Sequence, residues 1–363
     1  MSLYYSPVLY GINDVIIPET GGGTFAARIY YPSEQVEVRD VAVREGIYPL
    51  IAFAHGDRTS EPQLCPANRS EDYKKWGAVL HLLARCGFVV VVPAVHDVIS
   101  DSERAAIRLE TAIDWARSSW SHRRVLHQPP VFYLDPDVMT AQATNAKQGS
   151  YSTGRGSFVL GAGVGFEVGA FLGPPTNLGV AGHSWGARAA ARVAARKKVA
   201  VKTIASIAGS WDENAAIQAI TGARVPTLMV AGTDDFLNAS YLAGLWNSLA
   251  IPKHQAALQG IGHWDWFGPF GGIHPCNDQT PRPLCSVGWQ AVSELMLGFS
   301  TKYLYNNWWR PPYLLGSAGS RPPILGSFDT DGPCALKVRW HDPTTAGAVG
   351  DVTLGPWTAH NPW

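Results

Sequence analysis

The chain has 363 residues, enough for one large domain or two moderate ones around a substantial buried core. Hydrophobic residues make up 46% and charged residues only 16%, and 29 basic side chains balance 29 acidic ones. A formal charge of +0 supplies neither the basic surface that nucleic acid demands nor an acidic, solvating tail. No apolar run approaches the roughly 20 residues of a membrane span. The opening Met1-Ser2-Leu3-Tyr4-Tyr5-Ser6-Pro7 has neither the basic nor the apolar region of a secretory signal. The expected location is therefore the cytoplasm if Met1 is native, while secretion stays open if Met1 was added to a mature chain. Tryptophan is abundant at 14 residues, most of them expected in the core and the rest available for apolar or ring-bearing ligands.

Residues 1–24 end in the turn Glu19-Thr20-Gly21-Gly22-Gly23-Thr24, and the alternation over 25–31 predicts a strand. Residues 48–54 are a continuous apolar run, the pattern of a strand buried on both faces, and they stop at His55-Gly56-Asp57. The spacing of Trp76, Val79, Leu80 and Leu83 predicts a helix over 71–86, and 87–93 reads as another buried strand. A helix over about 101–119 follows, with Ala105, Ile107, Leu109, Ala112, Ile113 and Trp115 at its apolar positions. Strands recur at 178–182, 201–208 and 226–231, with helical stretches between them, and a last helix covers 289–305. Strands alternating with helices predict a mostly parallel sheet covered on both faces.

Two segments break that rhythm. Residues 137–176 form a glycine-rich excursion, long for a loop in a compact domain, and are a candidate lid. Within it Gly161-Ala162-Gly163-Val164-Gly165 resembles a dinucleotide loop, but Phe166 stands where the third glycine belongs, so no nucleotide cofactor is expected. Residues 306–363 are rich in Pro, Gly and Trp and are expected to pack on the main domain as irregular or short β structure. The expected organisation is thus a catalytic domain over 1–305 with a C-terminal extension over 306–363. Of the five cysteines, Cys86 lies in an apolar stretch and reads as a core thiol. Cys276 and Cys285 flank a proline-rich loop and either close it as a disulfide or remain thiols.

The chemistry gathers around Gly182-His183-Ser184-Trp185-Gly186. The apolar run Leu178-Gly179-Val180-Ala181 precedes it and an alanine-rich helical stretch follows. Strand, G-x-S-x-G and helix is the context of a nucleophile elbow, where the serine sits on a turn too sharp for flanking side chains. A serine hydroxyl needs a base, and the base needs an orienting acid, expected in the order Ser, Asp/Glu, His. Gly232-Thr233-Asp234-Asp235 follows the strand at 226–231, and Gly260-Ile261-Gly262-His263 follows later. Asp235 is the expected acid, one residue further round the turn than Asp234, and His263 is the expected base. The oxyanion hole needs two backbone N–H groups, assigned to Trp185 and to Asp57, with Gly56 letting the backbone approach the substrate. His183 is read as packing. Trp264 and Trp266 either wall the substrate cleft or bury their own loop. His55, Asp57, His96 and Asp97 fall at strand ends, but their spacing matches no strong metal signature, so no metal is expected.

With these motifs the chain resembles the α/β-hydrolase superfamily. Ala54-His55-Gly56, Gly182-His183-Ser184-Trp185-Gly186, Gly232-Thr233-Asp234-Asp235 and Gly262-His263 are similar to one group of serine esterases within it. That group includes the bacterial cutinase-like polyester hydrolases, platelet-activating-factor acetylhydrolases, chlorophyllases and dienelactone-hydrolase relatives. The resemblance covers roughly residues 8–305 and implies an α/β-hydrolase fold with a Ser184–His263–Asp235 triad and no cofactor. The expected activity is hydrolysis of a small, apolar or aromatic carboxylic ester through an acyl-enzyme. The same triad also serves an acyltransferase or a cyclising thioesterase, in which the acceptor is not water. The chain departs from the group in its long 137–176 excursion, in its tail after 306, and in Trp185, where Met or Gln is more usual. An indole at that position is expected to narrow the cleft against polymers.

Overall fold

The computed structural model describes residues 9–19, 21–33, 38–39, 48–57, 69–120, 133–134, 177–235, 239–263, 265–266, 288–304, 335–343 and 349–354. Its strands are β1 (Leu9–Pro18), β2 (Thr24–Ser33), β3 (Val38–Arg39), β4 (Leu50–Ala54), β5 (Val89–Pro93) and β6 (Tyr133–Leu134) in the first half. The second half adds β7 (Leu178–His183), β8 (Thr203–Ile207), β9 (Thr227–Gly232), β10 (Lys253–Leu258), β11 (Leu336–His341) and β12 (Val349–Leu354). Among the described residues they form one sheet in the order β12-β11-β10-β9-β8-β7-β4-β5-β2-β1-β3-β6. The run from β5 through β4, β7, β8 and β9 to β10 is parallel, while β2 on one side and β11 on the other join antiparallel.

Every residue of β4, β5, β7, β8 and β9 is buried, as their largely apolar composition favours in strands covered on both faces. The two faces divide by the period of two. On β5, Val90 and Val92 enter one core with Phe53, Trp76 and Leu80, whereas Val89 and Val91 enter the other with Ala105, Leu109 and Val193. Each such fully buried aliphatic side chain stabilises the fold by about 1.5–3 kcal/mol. Helices α1 (Gly77–Arg85) and α6 (Gly288–Leu304) cover the first face. Helices α2 (Ser102–Trp115) and α3 (Trp185–Arg196) cover the second. Helices α4 (Asn214–Ala223) and α5 (Ala239–Ser248) follow β8 and β9. The start of α2 is fixed by Asp101, whose carboxylate accepts the N–H groups of Glu103 and Arg104 at 3.0 and 3.1 Å.

Some expectations shift. The stretch 71–86 is not one helix: a 3-10 turn, Arg69–Lys74, precedes α1, and the break falls at buried Trp76 before Gly77, a poor helix former. Strand β1 pairs with β2 over its whole length although polar residues interrupt its pattern, and Asp14 bonds Arg28 at 2.8 Å across the pair. Strand β10 opens with Lys253, His254 and Gln255, all buried. Cys86 is a free, half-buried thiol whose pKa burial pushes up to about 11. The excursion at 137–176, Cys276 and Cys285 lie outside the described residues. No helix of the described residues is long and apolar enough to cross a membrane.

The C-terminal strands β11 and β12 extend the sheet beyond β10. A buried polar cluster fastens them: Lys302 and Tyr303 of α6 both bond the Asp342 carboxylate that follows β11. Tyr303 spends its proton on Asp342, so its oxygen accepts from His254 Nε2 on β10 at 2.8 Å. Burial lowers the pKa of His254, outweighing Asp342, which lies 3.6 Å away, and Lys302 pushes the same way as burial. Asp342→Ala leaves the Lys302 ammonium buried without this carboxylate. It is expected to cost about 3–5 kcal/mol in urea unfolding. The unfolded chain protonates His254 as pH falls through about 6.5, whereas the folded protein resists until lower pH. Stability is therefore expected to decline as pH drops below about 6.5, and His254→Gln should flatten that part of the unfolding-against-pH curve.

Candidate active site

Strand β7 ends at His183 and α3 begins at Trp185, so Ser184 alone makes the turn. Its backbone is held at φ 54 and ψ −122, a region that costs a non-glycine residue about 1–3 kcal/mol. The flanking glycines permit it. A Cβ on Gly182 would lie 2.3 Å from the carbonyl carbon of Gly186, and one on Gly186 would lie 2.1 Å from the Ala54 carbonyl oxygen. The turn is then pinned: Ser184 N–H donates to the Ile207 carbonyl at 3.0 Å, and Ala187 N–H to the Ser184 carbonyl at 3.0 Å.

Asp235 and His263 arrive as one unit from the ends of β9 and β10. Asp234 N–H donates to the Ile261 carbonyl at 3.0 Å, and Gly260 N–H to Thr233 Oγ1 at 2.9 Å. Asp265 closes the histidine loop by accepting Gly262 N–H at 2.6 Å. Gly232 is required because a Cβ there would sit 1.9 Å from the Ile261 carbonyl oxygen. His263 Nδ1 thereby lies 3.0 Å from both carboxylate oxygens of Asp235, and its Nε2 lies 2.8 Å from Ser184 Oγ. A carboxylate only accepts, so Nδ1 carries the proton and Nε2 is left to accept from the serine hydroxyl. Asp235 is 1% exposed, whereas Asp234 faces solvent.

The turn His55-Gly56-Asp57 leaves β4 beside the serine: a Cβ on Gly56 would meet the Ser184 Cβ at 3.0 Å. His55 is locked there, its Nε2 accepting Val95 N–H at 3.0 Å and its Nδ1 donating to the Gly56 carbonyl at 2.9 Å. Trp185 opens α3, where a backbone N–H has no intrahelical acceptor. Its indole is half-buried, with the Arg188 guanidinium 4.7 Å from the ring centre. Arg188 is in turn held by the Ser210 carbonyl at 2.6 Å, the Ser210 hydroxyl at 2.8 Å and the Asp212 carboxylate.

Ser184, Asp235, His263, Gly56, Asp57 and Trp185 therefore gather at the ends of β7, β9, β10 and β4. Trp266 does not join them as a wall. It is fully buried, in the same core cluster as Ile261 and Val292. Trp264 lies outside the described residues. Thr233, Asp265, Arg188 and Ser210 escaped the sequence reading, since each acts through a loop contact that no spacing rule encodes. Among the described residues no group of three or more His, Cys, Asp or Glu is placed to hold a metal ion.

A parallel run flanked by antiparallel edges carries a serine elbow after β7, an acid turn after β9 and a histidine loop after β10. This is an α/β-hydrolase fold. No protein-family model matches the chain, and no curated protein matches it in sequence. Among solved structures it is similar to a dienelactone hydrolase from Anabaena variabilis, at 16% identity and a TM-score of 0.44, covering 80% of this chain and 96% of that one. It is also similar to the esterase domain of a Rhodothermus marinus protein, at 14% identity and a TM-score of 0.44, covering 81% and 99%. A Pyrobaculum calidifontis esterase matches at 14% identity and a TM-score of 0.41, covering 80% and 84%.

The strain at Ser184 has a measurable consequence. Its φ and ψ mirror a conformation that is relaxed for L-residues, so glycine occupies it at no steric cost. Ser184→Gly is expected to raise unfolding stability by about 1 kcal/mol, and Ser184→Ala, which keeps the Cβ, is not.

Proposed function

We propose that the protein is a serine hydrolase that cleaves carboxylic esters through an acyl-enzyme intermediate. The observation that carries this reading is the unbroken chain Ser184 Oγ, His263, Asp235, with contacts of 2.8 and 3.0 Å at a strand–helix turn. Ser184 Oγ attacks the ester carbonyl while His263 Nε2 takes its proton. The carbonyl π electrons move onto oxygen, and the negative charge faces the backbone N–H groups of Trp185 and Asp57. Asp235 holds the imidazole tautomer and stabilises the imidazolium. His263 then protonates the leaving alkoxide, releasing the alcohol. Water, deprotonated by the same nitrogen, clears the acyl group and restores the serine.

The site also suggests which esters enter. Trp185 stands next to the nucleophile, and Arg188 holds the indole against its helix. A fixed ring at that place favours small, apolar or aromatic esters over bulky or polymeric ones.

A panel of p-nitrophenyl esters tests the reading. Native protein is expected to turn over short or aromatic esters and Ser184→Ala to lose that turnover. Asp235→Asn should lower kcat by about 10⁴-fold, while Asp234→Asn changes it little. Undiminished hydrolysis by the Ser184→Ala protein would overturn the assignment of the nucleophile.

A further inference from the structure

We propose that His183, the residue before the nucleophile, is a positioning residue that tethers the His263 loop to the serine's strand; this rests on the serine-hydrolase reading. His183 is 0% exposed and ends β7. Its Nε2 lies 2.8 Å from the His263 backbone carbonyl oxygen. A carbonyl only accepts, so Nε2 carries the proton and the tautomer is fixed. The ring also meets the His263 imidazole, centre to centre 4.8 Å at 44°, and on another side the Trp76 indole at 5.1 Å and 47°. Its Nδ1 abuts the oxyanion turn, where a Cβ on Gly56 would come within 2.5 Å. One side chain thus touches the oxyanion turn and the base, and its own backbone leads into the nucleophile.

The need for a tether follows from the sheet. His263 comes from β10, and β9 and β8 separate β10 from β7. Three strand spacings are about 14 Å, so the histidine loop has to lean across two strands to reach Ser184. The bonds from Thr233, Asp234 and Asp265 fix that loop against the acid turn and against itself. They set His263 relative to Asp235 and leave its distance to the serine to other contacts. The His183 bond acts on that distance: it draws the His263 carbonyl to the rigid end of β7, so that Nε2 stays within reach of Ser184 Oγ while the proton moves. Reacting groups displaced by about an ångström lose on the order of 10²-fold in rate.

The test compares His183→Phe with His183→Gln. Phenylalanine keeps a ring in the space and removes the donor, and glutamine restores an amide N–H at similar reach. His183→Phe is expected to lower kcat by about 10–100-fold with KM nearly unchanged, and phosphonate labelling of Ser184 should slow in parallel. His183→Gln should recover most of both rates, with the two variants melting within a few degrees of each other. If the phenylalanine variant fails to fold, His183→Asn takes its place, since its shorter amide falls short of the carbonyl. Undiminished kcat in His183→Phe, or equal losses in folded donor-bearing and donor-free variants, overturns the role of His183 alone. Absence of ester turnover and of labelling in the native protein overturns the serine-hydrolase reading beneath it.

Discussion

The structure depends on one backbone conformation, that of Ser184 at φ 54 between β7 and α3. An L-residue adopts it only where the surroundings over-determine it. They do so here by close approach: the glycines at 182 and 186 let helix and strand touch, and Gly186 abuts the end of β4. That contact also sets Trp185 beside the His55-Gly56-Asp57 turn. A single steric demand therefore places the hydroxyl and both proposed oxyanion donors. The strain is offset by the burial of α3, whose alanines and Val193 pack against the sheet and α2.

The loops that carry Asp235 and His263 to the serine are joined to each other by bonds from backbone N–H groups. Thr233, Asp234 and Asp265 bind the acid turn and the histidine loop into a single body. Asp235 gives up its hydration to sit 1% exposed, and the two-oxygen contact with His263 Nδ1 replaces part of it. Burial around Asp235 places its contact with the imidazole in a medium of low dielectric, where, in the proposed mechanism, charge stabilisation is stronger than in solution.

Much of this was legible in the chain. The parallel sheet was visible because β4 and β5 are unbroken apolar runs in a strand–helix alternation, and the elbow because an apolar run precedes its pentapeptide and an alanine-rich helical stretch follows it. Asp235 could be preferred to Asp234 from its place round the turn. Strand β1 was not legible, because Gly11, Asn13 and Asp14 break its alternation and Asp14 is bonded by Arg28 on a neighbouring strand. The polar opening of β10 hid for a related reason: His254 is matched by Tyr303 from another element. Trp266 was readable either as cleft wall or as loop packing, and only three-dimensional burial separates the two. Periodicity reports the face a residue presents. It does not report the partner that makes a polar residue acceptable there.

The C-terminal strands bear on the chemistry through the same logic. Without β11, β10 would be an exposed edge, free to fray or to pair with another chain. With it, β10 is paired on both sides, and the brace reaches the start of the histidine loop, where Gln259 N–H donates to the Ala335 carbonyl at 2.8 Å. The cluster of His254, Tyr303, Lys302 and Asp342 secures the other end of that pairing. The strand that delivers His263 is thus clamped at both ends by residues from after α6. A histidine that must lean across two strands gains from a root that does not move, and this ties the extension to the geometry of the site although none of its described residues belongs to the proposed triad.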